Sequence, residues 1–361
     1  EARLLLMGRR WTEAKAKLEQ VRPMALGNPE IIRQVDLYLA KCHAQLAEYD
    51  AQLEVSRRIL TDDPTSVAAR AGAAEALMAS GRTEEALAEF EALASGLSID
   101  RLIEVPQIWY PLLQLRIGAQ GALPRAKQDW SIVDSLLTTL EESGRYPPSQ
   151  LGLLRAEALM RRGEERAAKD LLTKAATPDA EPTVWAALVT LELRTDGPEA
   201  ALATLARVPE AARGAAPMLL VETQVAGRQP RQQTKKMLAA IEARASGLAA
   251  PDKAKLTEAL AAMHLAAGDR AEAERLWKSA CELQPSDTRP REALLEMAIS
   301  TGDLEKAREA ATEIGTIAGP TSARTRVAEA SVKVLEARQI IADAAKAGDQ
   351  KPGELPTDAR K

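Results

Sequence analysis

The sequence has few of the side chains that most active sites and metal centres need. Its 361 residues include only two histidines and two cysteines, and aromatic residues make up 3%. A structural zinc site takes four such ligands, so His43, His264, Cys42 and Cys281 would all have to converge from distant segments. The wide separation of the cysteines does not fit a small disulfide-bonded secreted domain. We therefore expect free, partly buried thiols and no metal or other cofactor.

Long apolar runs and a strong charge of either sign are also missing. No segment approaches the roughly 20 apolar residues of a membrane span, and no signal peptide is visible. The chain has 48 Lys and Arg against 52 Asp and Glu, a net charge of −4, and these values are typical of a soluble folded protein. Because the chain begins with Glu1 rather than Met, we expect that a preceding segment was removed. The composition favours a bacterial, cytoplasmic protein, with periplasmic or membrane-tethered alternatives if that segment was a targeting signal.

Motifs of known enzyme classes are absent as well. The sequence has no G-x-S-x-G elbow and no H-E-x-x-H, and the segment Gly118–Gly121 (GAQG) follows no predicted strand. Cys42 and His43 would suit a nucleophile and its base, but adjacent residues on a helix point about 100° apart. A buried cysteine beside a surface histidine is the interpretation we favour. The sequence therefore predicts a protein that is not an enzyme.

The chain does contain a unit of about 34 residues that is used many times. The intervals Gly163–Gly197, Gly268–Gly302 and Pro251–Pro285 are each 34 residues. In each copy, apolar or small residues recur at i, i+4 and i+7, which lie on one face of an α-helix. These sets are Ala14, Leu18, Val21; Ala86, Phe90, Leu93; Ala168, Leu172, Ala175; Ala201, Leu205, Val208; Ala273, Trp277, Ala280; and Ala307, Ala311, Ile314.

A glycine separates two helical stretches within each unit. Gly81, Gly163, Gly268 and Gly302 each stand five residues before the alanine of the second stretch. Glycine at such a place ends a helix in the left-handed conformation, and the next polar residue starts another. No sustained period-two alternation predicts a strand. The unit is therefore helix, tight turn, helix, and the fold class is all-α.

These residues resemble the tetratricopeptide repeat family, a 34-residue helix-turn-helix. The match comprises Ala261, Gly268, Ala273, Trp277, Ala280 and Pro285, followed by Gly81, Ala86 and Phe90. The copies are divergent, because the tyrosine that the family favours in the first helix is replaced in each of them. By the resemblance, Phe90 and Trp277 are inter-helix core.

The resemblance implies an α-solenoid, a right-handed superhelix of about nine repeats with a further helix near 320–347. We expect one array over residues 1–348 with an irregular long repeat at about 97–147. Residues 349–361 are polar and contain prolines, so we expect a disordered tail or linker there.

In the family, the first helices line a concave surface that receives extended peptides or partner helices. Counting back from each turn transfers that surface to Glu75, Met78, Glu157, Arg161, Leu191, Arg194, Lys255, Glu258, Arg289, Glu292 and Glu296. Trp109 and Tyr110 are separate candidates, because adjacent aromatics cannot share one helix stripe and one of them is then free to be an exposed anchor. The alternative is that a longer repeat needs bulkier filling.

The resemblance implies a scaffold that binds a peptide or a partner protein. A carboxylate clamp with paired asparagines cannot form, since Asn28 is the only asparagine. A helical-repeat RNA binder needs a basic track, which a net charge of −4 does not favour, so we expect no nucleic acid. A regulatory or assembly arm of a larger multidomain protein is a further alternative. The sequence leaves the oligomeric state unspecified.

Overall fold

A computed structural model describes residues 1–8, 10–46, 48–320 and 322–346, and every regular element in these ranges is helical. The chain divides into two compact units, Glu1–Leu171 and Leu172–Lys361. The tail expected at 349–361 lies outside the described residues, and the single array over 1–348 stays a prediction.

The first unit contains ten complete helices and the start of an eleventh. They are α1 (Ala2–Met7), α2 (Trp11–Val21), α3 (Pro29–Gln45), α4 (Tyr49–Asp62), α5 (Val67–Ala79), α6 (Thr83–Ser95), α7 (Ile99–Leu102), α8 (Pro106–Ala122), α9 (Ser131–Ser143), α10 (Pro148–Arg162) and α11 (Glu165–Ala175). Short 3₁₀ turns at Arg22–Ala25 and Arg125–Lys127 connect some of them.

The second unit begins within α11 and continues with ten more helices. They are α12 (Pro182–Thr195), α13 (Pro198–Arg207), α14 (Glu210–Arg213), α15 (Ala216–Ala226), α16 (Arg231–Arg244), α17 (Ala250–Ala266), α18 (Arg270–Leu283), α19 (Arg289–Thr301), α20 (Leu304–Ala318) and α21 (Ala323–Lys346). One 3₁₀ turn, Ala245–Gly247, follows α16.

The helices form nine consecutive pairs and one final helix within the described residues. The pairs are α1 and α2, α3 and α4, α5 and α6, α8 and α9, α10 and α11, α12 and α13, α15 and α16, α17 and α18, and α19 and α20. The single-turn helices α7 and α14 lie between pairs. This confirms the all-α repeat fold with about nine helix pairs, and α21 is the expected C-terminal helix. We call the members of a pair its first and second helix.

The turn glycines adopt the predicted left-handed conformation. The φ angles of Gly81, Gly163, Gly268 and Gly302 are 75°, 78°, 74° and 76°. At the end of α19, the amide of Gly302 donates to the carbonyl of Ile299, and the carboxylate of Asp303 accepts from the amide of Lys306 to start α20. Glycine is favoured there because a side chain disfavours positive φ.

The periodic apolar residues form the core. Phe90 is 0% exposed and Trp277 is 6% exposed, which confirms both as inter-helix packing residues. Ala261 of α17 and Ala273 of α18 are buried in the same cluster as Trp277. These small side chains let the paired backbones approach, and the large aromatic fills the space beside them.

Aromatic residues pack inside the irregular repeat and are not presented on its surface. Trp109 on α8 is 0% exposed, and its Nε1 donates a hydrogen bond of 3.0 Å to the hydroxyl of Tyr146. The rings of Trp109 and Tyr146 meet edge to face, with centroids 4.8 Å apart. The tyrosine hydroxyl in turn donates to the carbonyl of Ile103. The interpretation of Trp109 as an exposed anchor is therefore wrong, because its ring fills the core cluster that α8 shares with α9 and α10.

Candidate protein-binding surface

Most of the residues predicted to contact a partner reach solvent on first helices. The exposed ones are Glu75, Met78, Arg161, Arg194, Lys255, Arg289 and Glu296, and the partly exposed ones are Tyr110, Glu157, Glu258 and Glu292. Tyr110 packs beside the core that surrounds Trp109. We call the exposed and partly exposed residues on first helices the first-helix face, and treat it separately in each unit.

Leu191 does not belong to this face, because it is 1% exposed. Its helix, α12, packs against both α13 and α15, and six of its residues are buried. Counting back from Gly197 assumed that every first helix has the same free face. That prediction is wrong at Leu191 because its side chain lies on the packed side of α12 and not on the solvent side.

In the second unit, the face carries a row of alternating charges across three helices. The guanidinium of Arg289 on α19 lies 3.7 Å from Glu258 on α17 and 2.5 Å from Asp287. One turn further along α19, Glu292 pairs with Arg324 of α21 at 3.0 Å. We call Glu258, Arg289, Glu292 and Arg324 the charged row. It brings together three residues that the sequence predicted.

Sequence reasoning missed Arg324. The prediction counted positions back from the turn glycine inside each helix pair, and α21 was predicted as a single final helix with no such turn. In the structure, Arg324 donates to the hydroxyl of Thr288 at 2.5 Å, and that hydroxyl donates to Glu292 at 2.8 Å. The only available signal was the basic residue near the start of a further first helix.

Glu258 is the least satisfied member of the charged row. Its Oε1 atom is buried and accepts no hydrogen bond from the described residues. Desolvation raises the pKa of this carboxyl although Arg289 acts in the opposite direction. Because this oxygen is shielded from solvent, the part of the ion pair that a partner can reach is Arg289, whose side chain is 56% exposed.

Two further charges on the same face are exposed and unpaired within the described residues. Lys255 precedes Glu258 by one turn of α17, and Glu296 follows Glu292 by one turn of α19. Neither takes part in an ion pair of the described structure. They are free to contact a partner without breaking an internal contact.

The face of the first unit is made differently. Glu75 and Met78 are exposed on α5, and desolvation raises the pKa of Glu75. On α10, Glu157 and Arg161 lie 4.0 Å apart. The stem of Arg161 passes over Gly121 of α8, where an added Cβ would come within 2.8 Å of it. The segment Gly118–Gly121 is thus helical and makes room for a neighbouring arginine.

Cys42 and His43 lie in surroundings that indicate a structural role. Cys42 is 0% exposed, and burial raises the pKa of its thiol to about 11, so it is not a thiolate at neutral pH. His43 is also buried, and its Nδ1 lies 2.6 Å from Glu48, which Lys15 holds as well. The surface histidine expected there is wrong because Glu48 draws the ring into this contact. His264 is also buried.

No group of three or more His, Cys, Asp or Glu side chains is placed to hold a metal ion in the described ranges. Among the described helices, none combines the length and the apolar character of a membrane span.

Comparisons with known proteins give the fold. No family model matches the sequence, and no curated protein matches it. The structure is similar to a tetratricopeptide repeat protein from Parabacteroides merdae, with 13% identity over 72% of this chain and 95% of that one and a TM-score of 0.52.

Two other similar structures have lower TM-scores. A thermophilic tetratricopeptide repeat protein from Thermus thermophilus has 21% identity, covering 57% of this chain and 99% of its own, with a TM-score of 0.34. The C-terminal part of a repeat-containing protein from Cytophaga hutchinsonii has 15% identity, covering 81% of this chain and 98% of its own, with a TM-score of 0.33. The fold is that of the tetratricopeptide repeat, built here from divergent copies.

Proposed function

We propose that this chain is a non-enzymatic scaffold that binds a peptide or a partner protein along its first-helix face. The observation that carries the proposal is the charged row, which presents charges of both signs on successive first helices. Arg289 and Arg324 are its most accessible members, each with a side chain 56% exposed. Such a surface suits the alternating donors and acceptors of a polypeptide.

The same charges argue against nucleic acid as the partner. A phosphate backbone requires a basic track, whereas the charged row alternates in sign and Glu296 adds another carboxylate beside it. The net charge of −4 acts in the same direction. We therefore propose a protein or peptide partner, bound without a cofactor.

The test uses peptides selected from a random phage-displayed library on the immobilised full chain. Their affinities are then measured for Lys255→Glu/Glu296→Lys and for Glu258→Gln. Lys255→Glu/Glu296→Lys changes the face without removing an ion pair of the described residues, whereas Glu258→Gln also removes the charge that faces Arg289. We expect the selected peptides to bind each variant about tenfold more weakly, which corresponds to about 1.4 kcal/mol.

The matched control exchanges one basic and one acidic residue on second helices. Arg270 of α18 and Glu309 of α20 are exposed and have no ion-pair partner in the described structure, so Arg270→Glu/Glu309→Lys leaves the net charge unchanged. This control should bind the peptides as the parent does. Equal affinity for all variants, or displacement of the peptides by single-stranded RNA, would argue against the proposed face.

A further inference from the structure

The last helix, α21, has an exposed apolar stripe opposite its packed residues. Ala328, Val332 and Leu335 are buried in the cluster that α21 shares with α19 and α20. On the free side, Val327 is 66% exposed and Val334 is 52% exposed. Monomeric proteins rarely leave a continuous row of such residues in water without a use for it.

The spacing of the stripe is that of a helix-helix contact. Its members are Ala323, Val327, Ala330, Val334, Ala337 and Ile341. They alternate by four and three residues, which is the a and d pattern of a heptad repeat. The stripe spans 19 residues, from Ala323 to Ile341, which is about 27 Å of helix. A second helix can follow it along its whole length, whereas an extended strand cannot match this period.

The position of α21 in the fold points to the same kind of occupant. It contacts α19 and α20, as the first helix of another repeat would. Each earlier first helix is followed by a second helix, and the described residues contain none after α21. Residues 347–361 have only one large aliphatic residue, Leu355, so they lack the side chains to fill this place.

The positions that flank the stripe select the charge of the partner. These are the e and g positions of the heptad. Four of the six residues at these positions are basic and none is acidic. The six are Arg324, Arg326, Ser331, Lys333, Arg338 and Ile340. Arg324 pairs with Glu292, whereas Arg326, Lys333 and Arg338 have no ion-pair partner among the described residues. A second copy of this helix would place like charges opposite one another, and an acidic helix would pair with them.

We propose that α21 docks an acidic amphipathic helix of a partner protein. The apolar side of that helix packs on Val327 and Val334. Its carboxylates face Arg326, Lys333 and Arg338. This site is distinct from the charged row, which uses only Arg324 of α21.

The experiment compares two synthetic helical peptides of three heptads with the same Ile and Leu seam. One has Glu at every e and g position, and the other has Lys. Binding to the full chain is followed by fluorescence anisotropy. We expect the Glu peptide to bind and the Lys peptide to bind at least about tenfold more weakly.

Two variants of the chain assign the binding to α21. Val327→Ser/Val334→Ser should weaken the Glu peptide about tenfold, while the control Ile31→Ser/Val67→Ser, which alters two exposed apolar residues of the first unit, should leave it unchanged. Arg326→Glu/Lys333→Glu should reverse the preference in favour of the Lys peptide. Helical circular dichroism checks that each variant is folded.

Several results would overturn the proposal. Equal binding of both peptides would remove the charge selection, and unchanged binding by Val327→Ser/Val334→Ser would place the peptide elsewhere. Sedimentation that shows a dimer of the parent chain and a monomer of Val327→Ser/Val334→Ser would make a second copy the occupant.

Discussion

At the scale of single residues, two turn glycines have a role beyond their backbone conformation. The side chain of Arg231 donates from Nε to the carbonyl of Ala267, and its guanidinium occupies the space where a Cβ on Gly268 would lie. In the first unit, the guanidinium of Arg125 likewise occupies the space where a Cβ on Gly163 would lie. A cation against the carbonyl end of a helix is favourable, so glycine here permits both a positive φ and a close arginine.

The two effects can be separated with a matched pair of substitutions. Gly302 has almost the same φ as Gly268, but an added Cβ there meets nothing within 4 Å. Gly302→Ala should therefore lose only about 1–2 kcal/mol of unfolding free energy through left-handed strain. Gly268→Ala should lose more, because it also displaces Arg231. Urea unfolding gives both values.

The double variant is the control for this comparison. In an Arg231→Ala background, Gly268→Ala should lose no more unfolding free energy than Gly302→Ala does. If the two glycine substitutions have equal effects in the parent chain, Arg231 contributes nothing at this turn.

At the scale of helices, α8 depends on one hydrogen-bonded tyrosine. The hydroxyl of Tyr146 accepts a hydrogen bond from the indole N–H of Trp109 and donates one to the carbonyl of Ile103. It therefore connects α8 to Ile103, which precedes this helix, and to Tyr146, which follows it. Tyr146→Phe keeps the ring and leaves the buried indole N–H unpaired. We expect it to lower the unfolding free energy of the first unit by about 1–3 kcal/mol.

Tyr38→Phe is the matched control. Tyr38 is half-buried in the same unit, and its hydroxyl makes no hydrogen bond within the described residues. Its loss should change the unfolding free energy by less than about 0.5 kcal/mol. Equal effects of the two substitutions in urea unfolding would mean that the Tyr146 hydroxyl is not a structural contact.

The helices also show what the sequence could predict. Turn glycines and the Ala-x₃-aromatic spacing are local properties, and from the sequence they predict the helix pairs, the turns and the core positions Phe90 and Trp277. The burial of Trp109 and Leu191 depends on which neighbours cover α8 and α12, and no local pattern records that. Arg324 was not predicted for a related reason, because its partner Glu292 belongs to the preceding repeat.

At the scale of the molecule, the packing clusters around Trp277 and Phe90 join only neighbouring helices of the described residues. The cluster around Trp277 takes residues from α15, α16, α17, α18 and α19, and the one that contains Phe90 takes residues from α5 to α10. In stacked repeats, stability is close to a sum of repeat energies and nearest-neighbour contacts. Damage to one cluster should therefore act on its own neighbours.

Trp277→Ala and Phe90→Ala test this locality against each other. Each should cost about 3–5 kcal/mol by leaving a cavity in a buried cluster. Hydrogen exchange followed by mass spectrometry should show faster exchange in α15 to α19 for Trp277→Ala, with α1 to α6 unchanged, and faster exchange in α5 to α10 for Phe90→Ala. A uniform increase in the exchange rate along the whole chain in both variants would contradict nearest-neighbour stacking. Such a result would require one cooperative core, which no single cluster provides.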